Sequence, residues 1–216
     1  MSLILHAHPL SSYCWKALIA LYEKQVDFEF RMVDFGDPES RAAFAALWPM
    51  AKMPVLEDEE RGAVVPETSI IIDYLDAHHP GAIRLIPEEA EAARDVRLWD
   101  RILDLYVQGP MQRIVADRLR PEEKRDAFGV DESRAALGKA LELVDREVAG
   151  KSWTRGEAFT MADCAAVPAL FYADKVMPMA GKWPEALALL ERLKARPSVA
   201  RVLLEAEPWF KYFPAG

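Results

Sequence analysis

Two adjacent hydroxyl side chains stand where a helix should begin near the start of the chain. Ser11 and Ser12 open the stretch 11–24, in which apolar residues recur at helical spacing. A hydroxyl at a helix N-terminus can donate a hydrogen bond to an anion, and the helix dipole adds to the attraction. A free thiol with a pKa of about 8.5 is mostly protonated at neutral pH, whereas only the thiolate is a strong nucleophile. Ser11 and Ser12 are therefore candidate catalytic residues that would stabilise a bound thiolate.

The neighbouring residues leave other interpretations open. Ser11 could be an ordinary helix cap, and Tyr13 could donate the hydrogen bond in its place. Cys14 could form a mixed disulfide, although a Cys at this depth in a helix is more often buried and inert. Lowering a thiol pKa by about two units requires roughly 2.7 kcal/mol, which a charge-assisted hydrogen bond can supply.

A second stretch with chemical potential runs from 52 to 76. Pro54 opens a short strand, a charged turn follows, and a second strand leads into a helix that begins near Glu67 and Thr68. The free N–H groups of that helix would lie beside a carboxylate and a hydroxyl, so they could hold the charged end of an amino acid. A cis peptide bond between Met53 and Pro54 would turn neighbouring backbone groups toward a ligand, although the sequence does not determine which isomer is present.

The order of the elements predicts two domains. Residues 1–79 read as strand, helix, strand, helix, hairpin and helix, which predicts a thioredoxin-like α/β domain with one parallel strand pair. Residues 87–216 give helical patterns only and predict an all-α domain. Its first long pattern covers 89–117 and should bend or split at Gly109 and Pro110. The apolar side of that pattern is formed by Leu98, Trp99, Ile102, Leu105 and Tyr106.

A helix start is well marked further along the second domain. Thr160 and Asp163 have the spacing of a capping box, and Phe159 is placed to act as a hydrophobic staple. The device is structural and carries no catalytic implication by itself.

Composition limits the classes of function. The chain has 216 residues, 51% of them hydrophobic, and a net charge of -8 with acids and bases interspersed, which argues against nucleic acid as a partner. The first residues lack a secretory signal pattern and no apolar run reaches membrane-spanning length, so we expect a cytoplasmic protein with no membrane partner. Cys14 and Cys164 should be reduced thiols, and no Cys or His spacing indicates a metal site.

Three motifs together resemble the glutathione transferase superfamily. Pro54-Val55 followed by Glu67-Thr68 is similar to that family's glutathione clamp, and the Thr160 capping box is similar to the folding box of its C-terminal domain. The run 11–16 resembles the serine-type classes, especially the zeta motif Ser-Ser-Cys-Ser-Trp-Arg, from which it departs at positions 13 and 14.

The resemblance implies glutathione as co-substrate, no metal, and a homodimer. It places the thiol-activating role on Ser11 and implies six glutathione-binding residues: Lys52, Met53, Pro54, Val55, Glu67 and Thr68. The expected reaction is transfer of the glutathione thiolate to a small hydrophobic electrophile, with rate supplied by thiolate concentration and proximity.

The electrophile should bind between the domains, where the bend of the long helix faces the first loop. The candidate residues for this acceptor site are Tyr13, Tyr106, Met111, Ile114 and Phe210. Two rival functions stay open: a glutathione-dependent reductase or lyase that uses Cys14, and a non-catalytic binding module of the same fold.

Overall fold

The computed structural model describes residues 3–214, so the first two and last two residues of the predicted domains lie outside the described range. The first part of the chain forms a four-stranded sheet with three helices. Its elements are β1 (Leu3–Ala7), α1 (Ser12–Lys24), β2 (Glu29–Met32), α2 (Pro38–Leu47), β3 (Val55–Asp58), β4 (Ala63–Pro66) and α3 (Thr68–His78).

The sheet order is β2-β1-β3-β4, with β1 parallel to β2 and the other two pairs antiparallel. Every residue of β1 is buried because it is an inner strand, whereas β2 is an exposed edge strand. α1 packs against α3 and also against the helical part of the chain. The loop between β1 and α1, which carries Ser11, is thereby placed where the two parts meet.

Helices make up the second part of the chain. They are α4 (Ala90–Ile102), a π-helical segment (Leu103–Gln108), α5 (Gly109–Arg118), a 3₁₀ turn (Glu122–Lys124), α6 (Ala127–Val148), α7 (Met161–Val176), α8 (Pro184–Lys194), α9 (Pro197–Ala206) and a 3₁₀ segment (Glu207–Tyr212). The predicted fold class, a thioredoxin-like domain followed by an all-α domain, is confirmed.

The long helical pattern is split where the sequence indicated a break, and the π-helical segment ends immediately before Gly109. The predicted apolar face was partly wrong. Trp99 is buried, but Leu98, Leu105 and Tyr106 are more than half exposed. The buried face of this stretch includes polar residues, so the apolar pattern alone placed these three residues on the wrong face.

The capping box at the start of α7 is confirmed. The Asp163 carboxylate accepts hydrogen bonds from the backbone N–H of Thr160 at 2.8 Å and of Thr154 at 2.7 Å. Burial raises the pKa of Asp163, against the effect of these hydrogen bonds. The bonds fix the entry to the most buried helix of the second domain.

No helix within residues 3–214 is long and apolar enough to cross a membrane. Among the same residues, no cluster of three or more His, Cys, Asp or Glu side chains is arranged to hold a metal ion. Both cysteines are buried free thiols.

Candidate functional site

A cavity of about 310 Å³ lies where the start of α1, the loop before β3, the start of α3 and the end of α4 converge. Its lining residues are Tyr13, Lys52, Met53, Pro54, Glu67, Thr68, Arg101, Asp104 and Leu105. The structure therefore brings together six residues that the sequence predicted for the site. A larger cavity of about 600 Å³ lies between α1, β2 and α9 and contains none of the predicted site residues.

The peptide bond between Met53 and Pro54 is cis, the isomer that would turn neighbouring backbone groups toward a ligand. Val55 follows as the first residue of β3, and its side chain is fully buried. Of the predicted glutathione-binding residues, Val55 can therefore offer only backbone groups to a ligand, as the sequence interpretation required.

Glu67 occupies an unusual backbone conformation at the entry to α3, with φ 68° and ψ 121°. A non-glycine residue at positive φ is strained, and such strain is concentrated at functional sites. Its side chain does not cap the helix, and the carboxylate has no hydrogen-bond or ion-pair partner among the described residues. Thr68 follows as the first helical residue and is buried.

Lys52 adds a positive charge to the lining of the cavity. Like Glu67, it forms no ion pair with any residue of the range 3–214. The cavity thus offers one cation and one anion whose charges are not neutralised by the protein, next to the N–H groups at the start of α3.

Sequence reasoning missed Arg101 and Asp104, which line the cavity from the helical domain. The Arg101 guanidinium is about half exposed, and it contacts the carboxylates of Asp104 and, at 3.2 Å, Asp100. It also donates a hydrogen bond to the hydroxyl of Ser69 at 2.8 Å. This wall of the cavity therefore carries a guanidinium held in a fixed orientation.

A buried ammonium connects this wall to α1. The Lys16 side chain is 1% exposed and lies 2.5 Å from the Asp100 carboxylate and 2.7 Å from that of Asp104. Burial raises the pKa of Asp104, Lys16 opposes the shift, and Asp100 adds to it. Two features of the sequence could have indicated this cluster: Lys16 lies within an otherwise apolar helix, and Asp100 and Asp104 are four residues apart in the helical domain.

The two candidate catalytic serines have different surroundings. Ser11 is the residue before α1; it is partly exposed, and its side chain makes no capping hydrogen bond within the described range. Ser12 is 3% exposed, and its hydroxyl accepts hydrogen bonds from the amides of Gln108 and Gln112, both at 2.8 Å. Ser12 is thereby committed to the contact between domains, whereas the Ser11 hydroxyl interacts with the Cys14 thiol. Neither serine is among the residues that line the 310 Å³ cavity, which Tyr13 reaches from the same turn.

Ser11 is already close to a thiol. Burial raises the pKa of Cys14 to about 11, while the Ser11 hydroxyl and the N–H of His8 act in the opposite direction. The Cys14 side chain is completely buried. Its thiol is therefore neither ionised at neutral pH nor accessible.

Tyr13 is the residue of the first turn that lines the cavity. Burial and the nearby Asp104 raise its pKa to about 12, so the phenol keeps its proton at neutral pH. A protonated phenol is a hydrogen-bond donor, which makes Tyr13 a rival to Ser11.

The other predicted acceptor residues do not form a common wall. Met111 and Ile114 are each 1% exposed and lie in the hydrophobic core, whereas Tyr106 is 59% exposed. The ring of Phe210 packs against those of Trp15 and Phe171, with centroids 6.0 and 5.6 Å away. The core positions of Met111 and Ile114 give these two side chains no open surface for a ligand.

Both the fold and the clamp-like cavity define a class of protein in which a thioredoxin-like domain binds an amino-acid-like ligand beside a helical domain. Two family models match the chain: "Glutathione S-transferase, N-terminal domain" over residues 5–82 and "Glutathione S-transferase, C-terminal domain" over residues 104–197. The chain belongs to the glutathione S-transferase superfamily.

Individual relatives agree with this family. The chain is 24% identical to glutathione S-transferase PARB of Nicotiana tabacum, over 92% of this chain and 95% of the relative. It is 27% identical to a probable maleylacetoacetate isomerase of Caenorhabditis elegans, over 80% and 79% of the two chains. A glutathione S-transferase from Methylobacillus flagellatus, whose crystal structure has GSH bound, superposes with a TM-score of 0.86 at 25% identity, covering 93% and 98%.

Proposed function

We propose that the protein binds glutathione in the 310 Å³ cavity and transfers its thiolate to a small hydrophobic electrophile. The observation that carries this proposal is the charge pattern of the lining. Glutathione has two carboxylates and one ammonium, and the cavity presents the cations Lys52 and Arg101 with the anions Glu67 and Asp104. The match favours a zwitterionic peptide over an apolar ligand.

The γ-glutamyl end of glutathione fits the start of α3 best. Its carboxylate can accept hydrogen bonds from the N–H groups and hydroxyl at Thr68, and its ammonium can pair with Glu67. The cysteinyl part would then run along the backbone at Val55, as the family resemblance implies. Lys52 would be left for the carboxylate of the glycyl end.

We assign thiol activation to Ser11. It lies at the N-terminus of α1, its side chain makes no capping bond, and its hydroxyl acts to lower the pKa of Cys14, which supports a role in favouring a thiolate. A hydrogen bond from Ser11 together with the helix dipole would lower the pKa of the bound thiol. Tyr13 is the alternative donor, because it lines the cavity and keeps its proton.

The reductase or lyase alternative requires an accessible Cys14 thiolate. The complete burial of Cys14 and its raised pKa, about 11, argue against this alternative. Lys52 and Glu67 form no ion pair with any residue of the range 3–214, which favours ligand binding in the cavity. Rate measurements with an electrophile separate an enzyme from a non-catalytic binding module.

A homodimer and a cytoplasmic location are part of the same proposal. Large apolar side chains are exposed on the elements that flank the cavity, and they are Met50, Val64, Ile70, Leu98 and Leu105. A second copy of the chain would cover them. Sedimentation velocity of wild type and Ile70→Asp tests this point, because the variant should sediment as a monomer if Ile70 lies in the interface.

The function itself is tested by titration calorimetry with reduced glutathione, followed by rate measurements with a chlorodinitrobenzene as the electrophile. Wild type should bind and conjugate glutathione, while Lys52→Ala should weaken binding. The matched control is Lys139→Ala, an exposed lysine on α6, which should behave as wild type. Absence of glutathione binding by the wild-type protein would refute the proposal.

A further inference from the structure

The peptide group between Leu10 and Ser11 is held at both of its polar ends. The carbonyl of Leu10 accepts a hydrogen bond of 2.7 Å from the hydroxyl of Tyr172, and the N–H of Ser11 donates one of 3.0 Å to the carbonyl of His8. A peptide group engaged at both ends has little freedom to rotate. Its orientation sets the direction in which the Ser11 side chain leaves the backbone.

Tyr172 reaches this loop from the helical domain. It lies in α7, is 3% exposed, and its ring packs against those of Trp15 at 5.0 Å and Phe213 at 5.6 Å between centroids. Burial raises the pKa of Tyr172, so its hydroxyl stays protonated and remains a donor at neutral pH. The Tyr172 ring is thus held by contacts with α1 on one side and with the C-terminal segment on the other.

A second hydrogen bond restrains the backbone just before this peptide. Ser11 has φ -77° and ψ 120°, an extended conformation, and the helix begins at the next residue. The indole of Trp15 donates a hydrogen bond of 2.6 Å to the carbonyl of Pro9, so the preceding peptide is restrained as well. Without the bond from Tyr172, the Leu10 carbonyl would have to find another donor by rotating.

We propose that Tyr172 is a positioning residue that holds the Leu10–Ser11 peptide so that the Ser11 hydroxyl faces the glutathione sulfur. The inference rests on the proposed function, since it requires Ser11 to activate the thiol. It gives the helical domain a part in activating glutathione, in addition to its part in binding the electrophile.

The test compares Tyr172→Phe with Tyr74→Phe, Ser11→Ala and wild type. Tyr74 is the matched control because its hydroxyl also donates one hydrogen bond, to the Asp58 carboxylate at 2.8 Å. Asp58 pairs with Leu3, at the far end of β1 from the loop. Each phenylalanine variant loses one phenolic hydrogen bond, but only the bond from Tyr172 restrains the peptide next to Ser11.

The readout is the ultraviolet absorbance of bound glutathione thiolate across pH, together with the affinity for S-methylglutathione, which has no ionisable thiol. We expect the pKa of bound glutathione to rise by about half to one unit in Tyr172→Phe, with a roughly three- to tenfold lower kcat/KM at neutral pH. Affinity for S-methylglutathione should stay within about twofold of wild type, because the charged groups that bind the ends are unchanged. Tyr74→Phe should titrate as wild type.

The outcomes separate the inference from the proposed function. If Ser11→Ala raises the thiol pKa but Tyr172→Phe titrates as wild type, the positioning role is refuted and the function of Ser11 stands. If Ser11→Ala leaves the thiol pKa unchanged, both are refuted. Equal shifts in Tyr172→Phe and Tyr74→Phe, or a large loss of S-methylglutathione affinity in Tyr172→Phe, would indicate a general structural effect and also overturn the inference.

Discussion

The strained backbone of Glu67 predicts that one substitution will weaken ligand binding without the usual loss of stability. Glu67 lies at φ 68° and ψ 121°, where a Cβ atom is unfavourable and glycine is not. Glu67→Gly removes the carboxylate and the strain together. Glu67→Ala removes the carboxylate but keeps the Cβ atom, so it is the matched control.

The expected size of the effect on stability follows from two opposing contributions. Strain of this kind costs about 1–3 kcal/mol, and glycine loses about 0.5–1 kcal/mol more conformational entropy on folding than alanine. Glu67→Gly should therefore be more stable than Glu67→Ala by up to about 2.5 kcal/mol. For a chain of this size that difference raises Tm by up to roughly 5–10 °C.

The effect on binding should be the same in both variants. A hydrogen bond to a charged group contributes about 1.5–3 kcal/mol, which corresponds to about 10- to 150-fold in the dissociation constant. Calorimetry with glutathione measures the affinity, and thermal unfolding without ligand measures Tm. A Glu67→Gly variant that melts below Glu67→Ala, or either variant binding glutathione as wild type does, would contradict this account of Glu67.

Three further predictions concern buried ionisable groups. Lys16→Met should lower the free energy of unfolding, measured by denaturant titration, by about 3–5 kcal/mol. The reason is that the Asp104 carboxylate is left buried without its main cation. Combining Lys16→Met with Asp104→Leu should recover part of the loss. Burial raises the pKa of Asp58, but hydrogen bonds from groups that include His79 outweigh this effect and hold its pKa below the usual value. Its stabilising contribution is therefore complete above the unfolded pKa of about 3.9 and is lost as pH falls through the folded pKa, so the Tm advantage of wild type over Asp58→Asn should shrink on acidification. Cys14→Ala should retain conjugating activity and glutathione affinity, and a measured loss of both would restore the thiol-based alternative.

The thioredoxin-like half was predictable because its signals are local. A proline before a short strand, a charged turn and a hydroxyl at a helix start each indicate a particular local backbone structure. The strands β3 and β4 and the helix beginning at Thr68 agree with these indications, whereas the cis isomer at Pro54 could not be predicted from them. The Thr160 capping box was predictable for the same reason. Motifs of this kind depend on residues three or four positions apart and need no knowledge of distant contacts.

Contacts between the domains were not predictable in this way. The face of α4 that packs inward includes Asp100, and the π-helical segment after it buries Asp104 and Gln108. Each has a partner on α1, and for Asp104 that partner is Lys16. The spacing of apolar residues cannot identify a buried face whose members are polar. The partners that allow their burial are distant in sequence, and Lys16 and Asp104 are 88 positions apart.

The roles of the Ser11, Ser12 and Tyr172 hydroxyl groups could be predicted from the sequence only in part. Ser11 and Ser12 are adjacent and chemically identical, and their difference arises from the amides of Gln108 and Gln112, which occupy Ser12 alone. The bond from Tyr172 to the loop joins residues 162 positions apart. Only the packing of α7 against α1 brings them together.

The central claim is that the Ser11 hydroxyl activates glutathione, and the most direct measurement is the pH titration of bound glutathione thiolate by ultraviolet absorbance in wild type, Ser11→Ala and Tyr13→Phe. The account predicts a pKa well below that of free glutathione in wild type and Tyr13→Phe, and a return toward the free value in Ser11→Ala alone. An unchanged pKa in Ser11→Ala, with the return seen in Tyr13→Phe instead, would contradict it and move the activating role to Tyr13.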